Sequence, residues 1–201
     1  MKIEDNEKLK AIVEGCLREE RKCQQMIFEM YYGKMMSTCL RYISDRDEAQ
    51  DVLQDGFIKV FNNIAKFDFN GSFEGWVRRI VVNTAIDYIR KKRKDIFQVI
   101  DHEFIINNYS DKADENENES IYANLKNDEI IEAIQQLSPA YRTVFNMYVI
   151  DGYNHQQIAD LLKINIGTSK SNLAKARMNL KRILKNKLLN LNKDFKIEYG
   201  K

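Results

Sequence analysis

Residues 153–182 read YNHQQIADLLKINIGTSKSNLAKARMNLKR and contain two helical patterns separated by a short turn. Asn154, with Gln157 three residues later, is a capping-box signal for the start of the first helix. The apolar positions of that helix are Ile158, Ala159, Leu161 and Leu162. Residues 163–167 form the predicted turn, and Thr168 is predicted to cap a long second helix with Leu173, Ala176, Leu180, Ile183 and Leu184 on its apolar side.

The second helix is predicted to expose a polar and basic side near its N-terminus, formed by Lys170, Ser171, Asn172, Lys175 and Arg177. A short helix, a turn and a second helix with exposed cations make a helix-turn-helix, whose second helix enters the DNA major groove. Lysine and arginine neutralise phosphates or donate to guanine, and asparagine pairs with adenine. An ordinary helical hairpin with a solvated basic face shows the same pattern, so both interpretations stay open on this stretch alone.

Upstream of this stretch the helical pattern continues. Ile130, Ile134 and Leu137 mark one helix, and Ser138-Pro139 is typical of an N-cap followed by the first helical residue. The next stripe is Tyr141, Val144, Phe145 and Tyr148. Gly152 is predicted to end this helix in a left-handed conformation. Residues 128–190 are therefore predicted to form a small helical domain.

The N-terminal 94 residues show three further helices. Ile27, Tyr31, Met35, Cys39 and Tyr42 recur every three or four residues, and a second stripe runs through Ala49, Val52, Leu53, Phe57, Val60, Phe61 and Ile64. Residues 44–47 supply the turn and cap between them. Residues 67–73 form a loop, and a third helix follows over residues 73–93. Its predicted inner positions are Phe73, Trp76, Val77, Ile80, Val81 and Tyr88.

Charge is segregated along the chain although the net charge is only +2. Residues 76–94 carry +6, residues 168–187 carry +7, and residues 95–128 between them carry −7. Residues 95–127 lack a sustained apolar period and are rich in acidic and polar side chains, which predicts a flexible acidic linker. Two basic patches on separate helical domains favour a polyanionic partner.

Composition excludes several classes of protein. The 201 residues include eight glycines and one proline, which predicts helices joined by short turns. The longest stretch without a charge is nine residues, too short for a membrane span, and no secretory signal is visible. Cys16, Cys23 and Cys39 are expected to be free thiols in a reducing cytoplasm. No hydrolase, P-loop or zinc-protease motif is present, so no enzyme activity, small-molecule substrate, cofactor or metal is predicted.

The loop at residues 67–73 and the helix after it combine rings with cations. Aromatic side chains beside bases suit unstacked nucleic acid, because nucleobases stack on rings while cations follow phosphates. The polar loop residues Asp68, Asn70 and Ser72 are candidates for holding an everted base. Trp76 has the spacing of a packing residue, and that reading is favoured over a stacking role.

Five motifs carry a family resemblance. They are DVLQDGFIKVF at residues 51–61, FEGWVRRIVVNTAIDYIRK at 73–91, LSPAYRTVF at 137–145, YNHQQIADLL at 153–162 and GTSKSNLAKARMNLK at 167–181. In this order and at these distances they resemble the extracytoplasmic-function sigma factors of the sigma-70 family. The resemblance implies an all-α fold of two small helical domains joined by a flexible linker, the C-terminal domain containing the helix-turn-helix. It also implies a protein that binds core RNA polymerase and directs transcription initiation at promoter DNA.

The resemblance implies roles for individual residues. Contact with the clamp helices of the largest polymerase subunit falls to Asp51, Gln54, Asp55 and Phe57. Recognition and melting of the minus-ten element falls to Phe67, Asp68, Phe69, Asn70, Ser72, Phe73, Trp76, Arg79, Asn83, Asp87, Arg90, Lys91 and Arg93. Recognition of the minus-thirty-five element falls to Arg142, Thr168, Lys170, Ser171, Asn172, Lys175 and Arg177. An anti-sigma factor is a further implied partner, and residues 191–201 are left as a C-terminal tail.

This chain departs from the family pattern at three positions. An apolar β-branched residue is usual where Ser169 stands, glycine is usual where Lys163 stands, and glutamate is usual where Gln157 stands. The competing interpretation of the whole chain is a stand-alone helix-turn-helix regulator with an N-terminal oligomerisation domain.

Overall fold

A computed structural model describes residues 3–92 and 127–199 of the 201-residue chain. Every described element is helical, so the all-α prediction is confirmed. The chain divides into two compact units, Met1–Lys92 and Arg93–Lys201. The predicted linker at residues 95–127 lies outside the described residues except for its last position, and so does Arg93.

Residues 3–92 of the first unit contain four helices: α1 (Ile3–Leu17), α2 (Arg21–Tyr42), α3 (Arg46–Asn63) and α4 (Phe73–Lys92). A 3₁₀ turn, Ile64–Lys66, follows α3. The predicted cap before α3 is confirmed, because the Asp45 carboxylate accepts a hydrogen bond of 2.9 Å from the backbone N–H of Glu48. Helix α1 was not predicted, since charged residues interrupt its apolar positions.

The core of the first unit lies where α2, α3 and α4 pack against one another. The predicted inner positions Phe73, Val77 and Val81 of α4 are buried. Trp76, Ile80 and Tyr88 are only half-buried, so their predicted place in the core was wrong. Because α4 packs against both α2 and α3, its buried face is wider than one stripe and also includes Val82, Thr84, Ala85, Ile86 and Ile89.

The described part of the second unit, residues 127–199, contains four helices: α5 (Asn127–Gln135), α6 (Pro139–Phe145), α7 (His155–Leu162) and α8 (Ile166–Tyr199). A π-helical turn, Asn146–Ile150, extends α6. Gly152 has a φ of 74°, as predicted for a residue that ends a helix. The capping box of Asn154 and Gln157 is present at the start of α7.

Helix α8 differs from its prediction at the N-terminal end. It begins at Ile166, so Thr168 lies inside the helix and its predicted capping role was wrong. The backbone N–H of Ser169 donates to the carbonyl of Asn165 at 3.0 Å, which places Asn165 at the helix start. Helix α8 also continues to Tyr199 through most of the segment taken as a tail.

Two features are absent from residues 3–92 and 127–199. No helix there is long and apolar enough to cross a membrane. No group of histidine, cysteine and acidic side chains in residues 3–92 and 127–199 is arranged to hold a metal ion.

Candidate nucleic-acid interfaces

The aromatic side chains of the loop at residues 67–73 form a compact cluster. The ring centroid of Phe67 lies 4.9 Å from that of Phe69, 5.0 Å from that of Phe73 and 5.6 Å from that of Trp76. Phe67 and Phe73 are 8% and 2% exposed. Both were predicted to contact DNA, but the structure places them in the core, because they anchor the loop against α4.

Phe69 is the ring that the loop presents to solvent. It is 42% exposed, and its φ of 60° is left-handed, which is strained for a residue with a large side chain. Such strain concentrates at functional sites. Phe69 is therefore the loop ring with a free surface on which a nucleobase could stack.

The polar residues of the loop hold its shape. The Asp68 carboxylate accepts hydrogen bonds from the backbone N–H of Asn70 at 3.0 Å and from its side-chain amide at 3.2 Å. The first of these bonds is the main reason that the pKa of Asp68 lies below its ordinary value. The Ser72 hydroxyl accepts from the backbone N–H of Gly75 at 3.3 Å, at the first turn of α4.

A cleft of about 380 Å³ opens beside this loop between α3 and α4. Three predicted site residues, Trp76, Asn83 and Asp87, line it. The sequence pattern missed the α3 side of the cleft and the 3₁₀ turn. The full lining is Lys59, Asn63, Lys66, Trp76, Ile80, Asn83, Thr84 and Asp87. The polar side of α3, opposite its apolar stripe, was the available signal for Lys59.

Charges in the cleft are arranged around Asp87. Its carboxylate lies 2.9 Å from the guanidinium of Arg90 and 3.9 Å from the ammonium of Lys59. Arg79 and Lys91, two further predicted DNA contacts, are exposed on α4. The cleft therefore joins one ring, one carboxylate and several cations, which is a suitable arrangement for a base and its phosphates.

The outer face of α3 carries Asp51, Gln54 and Asp55, all exposed as predicted. Phe57 was predicted to share this face, but it is 2% exposed and packs against Phe28 with ring centroids 4.8 Å apart. Position 57 belongs to the apolar stripe, because it follows Leu53 by one helical turn. Ile58, which was not predicted, is 57% exposed on the same helix.

Helix α8 presents part of the predicted basic surface. Lys170 and Arg177 are exposed, and Thr168, Ser171 and Lys175 are half-buried. The Lys175 ammonium lies 6.0 Å from the ring centroid of Tyr141. Asn172 is 1% exposed, so its predicted exposure was wrong. It is buried because α8 packs against both α6 and α7 with the face that holds Leu173 and Ala176.

Arg142 also lies inside the second unit. Arg142 is only 5% exposed, and one nitrogen of its guanidinium donates a hydrogen bond of 3.0 Å to the backbone carbonyl of Gln135. This bond joins α6 to the end of α5. The predicted phosphate contact requires an exposed guanidinium, and the burial of Arg142 contradicts that expectation.

Ser169 and His155 join the two helices of the helix-turn-helix. The Ser169 hydroxyl lies 2.9 Å from Nδ1 of His155, and Ser169 is fully buried. The His155 ring stacks on Tyr148 with centroids 4.5 Å apart and an interplanar angle of 26°. The guanidinium carbon of Arg177 lies 6.0 Å from the centroid of the same tyrosine ring.

Comparisons with known proteins match both units. Residues 27–95 match the family model for sigma-70 region 2, and residues 127–180 match the model for sigma-70, region 4. The ECF RNA polymerase sigma factor SigW of Bacillus subtilis is 32% identical over 163 residues, covering 79% of this chain and 87% of that protein. The ECF RNA polymerase sigma-E factor of Haemophilus influenzae is 27% identical over 172 residues, covering 83% and 90%.

A solved structure is also similar. The sigma factor RpoE in its complex with the anti-sigma factor NepR, from Bartonella quintana, has a TM-score of 0.47 and 22% sequence identity. The similarity covers 80% of this chain and 96% of that one.

Proposed function

The chain belongs to the extracytoplasmic-function sigma factors of the sigma-70 family, and we propose that its two units divide promoter recognition between them. As a sigma factor it directs transcription initiation by RNA polymerase. The first unit binds the minus-ten element as separated strands and docks on core polymerase. The second unit binds the minus-thirty-five element as duplex DNA.

The cleft between α3 and α4 is the observation that carries the role of the first unit. Trp76 offers a ring beside Asn83 and Asp87, and Lys59 and Lys66 stand on the opposite wall. A carboxylate accepts from the amino group of cytosine, and lysines bind the flanking phosphates. Phe69 at the neighbouring loop supplies a second exposed ring. The cost of removing a base from its stack is offset by such contacts.

The outer face of α3 supports docking on the clamp helices of the largest polymerase subunit. Asp51, Gln54 and Asp55 surround it with polar groups, and Ile58 adds an exposed apolar side chain one turn from Gln54. An apolar centre with a polar rim is the usual anatomy of a protein interface. Ile58 therefore joins the proposed contact set, whereas Phe57 is buried against Phe28 and leaves it.

Helix α8 supports the role of the second unit. Its first turns expose Lys170, and Arg177 lies two turns further on. In a helix-turn-helix, residues near the start of the second helix reach base edges, and flanking cations bind the DNA backbone. An anti-sigma factor, which the family resemblance implies, remains a prediction for this chain.

The alternative of a stand-alone regulator gives the first unit an oligomerisation role. The match of residues 27–95 to sigma-70 region 2 accounts for that unit without such a role. The two functions differ in one observable: a sigma factor copurifies with core polymerase, whereas a stand-alone regulator protects a palindromic DNA site by itself.

Reversing one charge on the outer face of α3 tests the proposed docking. We expect Asp55→Arg to abolish association with core polymerase, because a buried like-charge or unpaired charge at an interface is costly. The measurement is cosedimentation of core polymerase with the full chain, together with circular dichroism to confirm folding.

Glu29→Arg is the matched control, since it makes the same charge change at an exposed position on α2. We expect this variant to bind core polymerase as the wild type does. Normal binding of core polymerase by Asp55→Arg would contradict the assignment of the outer face of α3 as the polymerase interface.

A further inference from the structure

A hydrogen bond between His155 and Ser169 fixes the approach of the two helices of the helix-turn-helix. His155 is the first residue of α7, and Ser169 lies one turn into α8. Their side chains meet at 2.9 Å, and Ser169 is fully buried. A buried hydroxyl without a partner is costly, so an altered crossing of the helices that separates this pair is disfavoured.

Tyr148, in the π-helical turn, contacts both His155 of α7 and Arg177 of α8. Its ring stacks on His155 at 4.5 Å. The Arg177 guanidinium lies over the Tyr148 ring at 6.0 Å. Ser169 and Arg177 are two helical turns apart on α8, so the chain of contacts touches this helix at two separate points.

We propose that His155, Ser169 and Tyr148 are positioning residues that set the tilt of α8 for reading the minus-thirty-five element. This inference rests on the proposed function of the second unit. His155 and Ser169 hold the start of α8, and Tyr148 orients Arg177 further along it. Their effect on DNA is indirect, because Ser169 is buried and His155 faces the protein.

Sequence discrimination is the property that this arrangement controls. Base edges are read by hydrogen bonds of narrow geometry, whereas phosphates are bound by charge over a broader range of positions. A small rotation of α8 therefore weakens binding to the correct sequence more than binding to any duplex. The ratio of the affinity for the correct sequence to the affinity for an unrelated duplex therefore reports the position of α8. A variant that is partly unfolded loses both affinities by the same factor, so partial unfolding does not change this ratio.

Threonine and valine at position 169 form a matched pair, because they have nearly the same shape and only threonine carries a hydroxyl. The full chain in complex with core polymerase is tested against two duplexes. One contains the upstream sequence that the wild-type holoenzyme selects from a random library, and the other has that sequence scrambled. We expect Ser169→Val to lower the affinity ratio at least fivefold and Ser169→Thr to stay within twofold of wild type.

His155→Phe supplies the reciprocal test. Phenylalanine keeps a ring against Tyr148 but has no Nδ1 to bond the Ser169 hydroxyl. We expect the same loss as for Ser169→Val, and no further loss when the two changes are combined, because both remove one interaction. Equal ratios for the threonine and valine variants, or fully additive losses, would overturn the positioning role.

Lys170→Ala separates this inference from the function on which it rests. Lys170 is exposed, and its loss is expected to weaken binding to both duplexes. The slope of the logarithm of the binding constant against the logarithm of the salt concentration should become shallower by about one unit. If Lys170→Ala weakens binding while the position 169 variants behave as wild type, only the positioning role fails. If Lys170→Ala has no effect either, the proposed DNA surface of α8 fails as well.

Discussion

Asn172 is a polar residue buried in the core of the second unit. It is 1% exposed, and within the described part of the chain neither its amide nitrogen nor its amide oxygen has a hydrogen-bond partner. Burying a polar group without a partner destabilises a protein by about 1–3 kcal/mol. We expect Asn172→Leu, which keeps four side-chain heavy atoms branched at Cγ but has no polar atom, to raise the free energy of unfolding by about 1 kcal/mol. Urea unfolding followed by helical circular dichroism measures this change.

Asn62→Leu on the exposed face of α3 is the control, because it makes the same gain in helix propensity without removing a buried amide. An Asn172→Leu variant that gains no more stability than Asn62→Leu would contradict the cost assigned to the buried amide of Asn172.

Lys163 connects the two helices of the helix-turn-helix in a left-handed conformation, with a φ of 59°. A side chain at such a position costs on the order of 1 kcal/mol, and glycine avoids this cost. We expect Lys163→Gly to raise the free energy of unfolding by roughly 0.5–1 kcal/mol, since the greater freedom of glycine in the unfolded chain cancels part of the gain.

Lys163→Ala keeps a β-carbon and removes the same charge, so it controls for electrostatics. The glycine variant should therefore be the more stable of the two in thermal unfolding. Equal melting temperatures would argue that the turn carries no strain.

The cysteines show which residue properties follow from sequence. The three cysteines are free thiols, as expected from the sequence. Cys16 and Cys39 are buried, and burial raises the pKa of Cys16 to about 11 and that of Cys39 to about 12. Both thiols therefore stay protonated at neutral pH. Cys23 is half-buried, and its pKa is also raised, mainly by desolvation and then by its hydrogen bond to Glu20.

Helices α3 and α4 approach closely at Gly56. A β-carbon at this position would lie 3.1 Å from Cγ2 of Val81 and 3.5 Å from its Cα. The backbone of Val81 limits how far the neighbour can move, so a larger side chain must push the helices apart. We expect Gly56→Val to lower the free energy of unfolding by about 1–3 kcal/mol. Fluorescence of Trp76, the single tryptophan of the chain, reports this unit specifically.

Gly33→Val on α2 is the matched control, because a β-carbon there meets no atom within 4 Å. This variant should be as stable as wild type or slightly more stable, since valine favours a helix more than glycine does. A Gly56→Val variant of wild-type stability would contradict the close packing of α3 on α4.

Local signals were sufficient for most helix boundaries. Asp45, Asn154 and Gly152 have the predicted capping or left-handed conformations, because caps depend on neighbours in sequence. The start of α8 was misplaced, since Thr168 has the residue type of a cap but Asn165 lies at the helix start. Residue type alone does not decide between two such candidates three positions apart.

Tertiary packing explains the errors at the sites. A single apolar stripe was assumed for α4 and for α8, but α4 packs against two other helices and α8 packs against three. The wider contact of α8 buries Asn172, whereas Trp76 of α4 is half-buried and lines the cleft. Lys59 lies on the polar side of α3, but its nearness to Asp87 depends on the crossing of α3 and α4, which sequence periodicity does not give.

At the scale of the whole molecule, charge distribution carries the functional argument. Residues 76–94 and 168–187 carry +6 and +7, and the segment at 95–128 carries −7. Each basic surface alone binds polyanions weakly and with strong salt dependence. When one larger partner holds both units, the second contact becomes intramolecular, so binding strengthens without any new interaction. Promoter recognition is therefore expected to require core polymerase.

Run-off transcription on genomic DNA, with mapped start sites, tests this requirement most directly. The full chain added to core polymerase should produce discrete start sites that core polymerase alone does not produce. The full chain without polymerase should bind the same DNA weakly and without preference. An absence of discrete starts, together with tight binding of duplex DNA by the purified chain alone, would contradict the assignment of this protein's function.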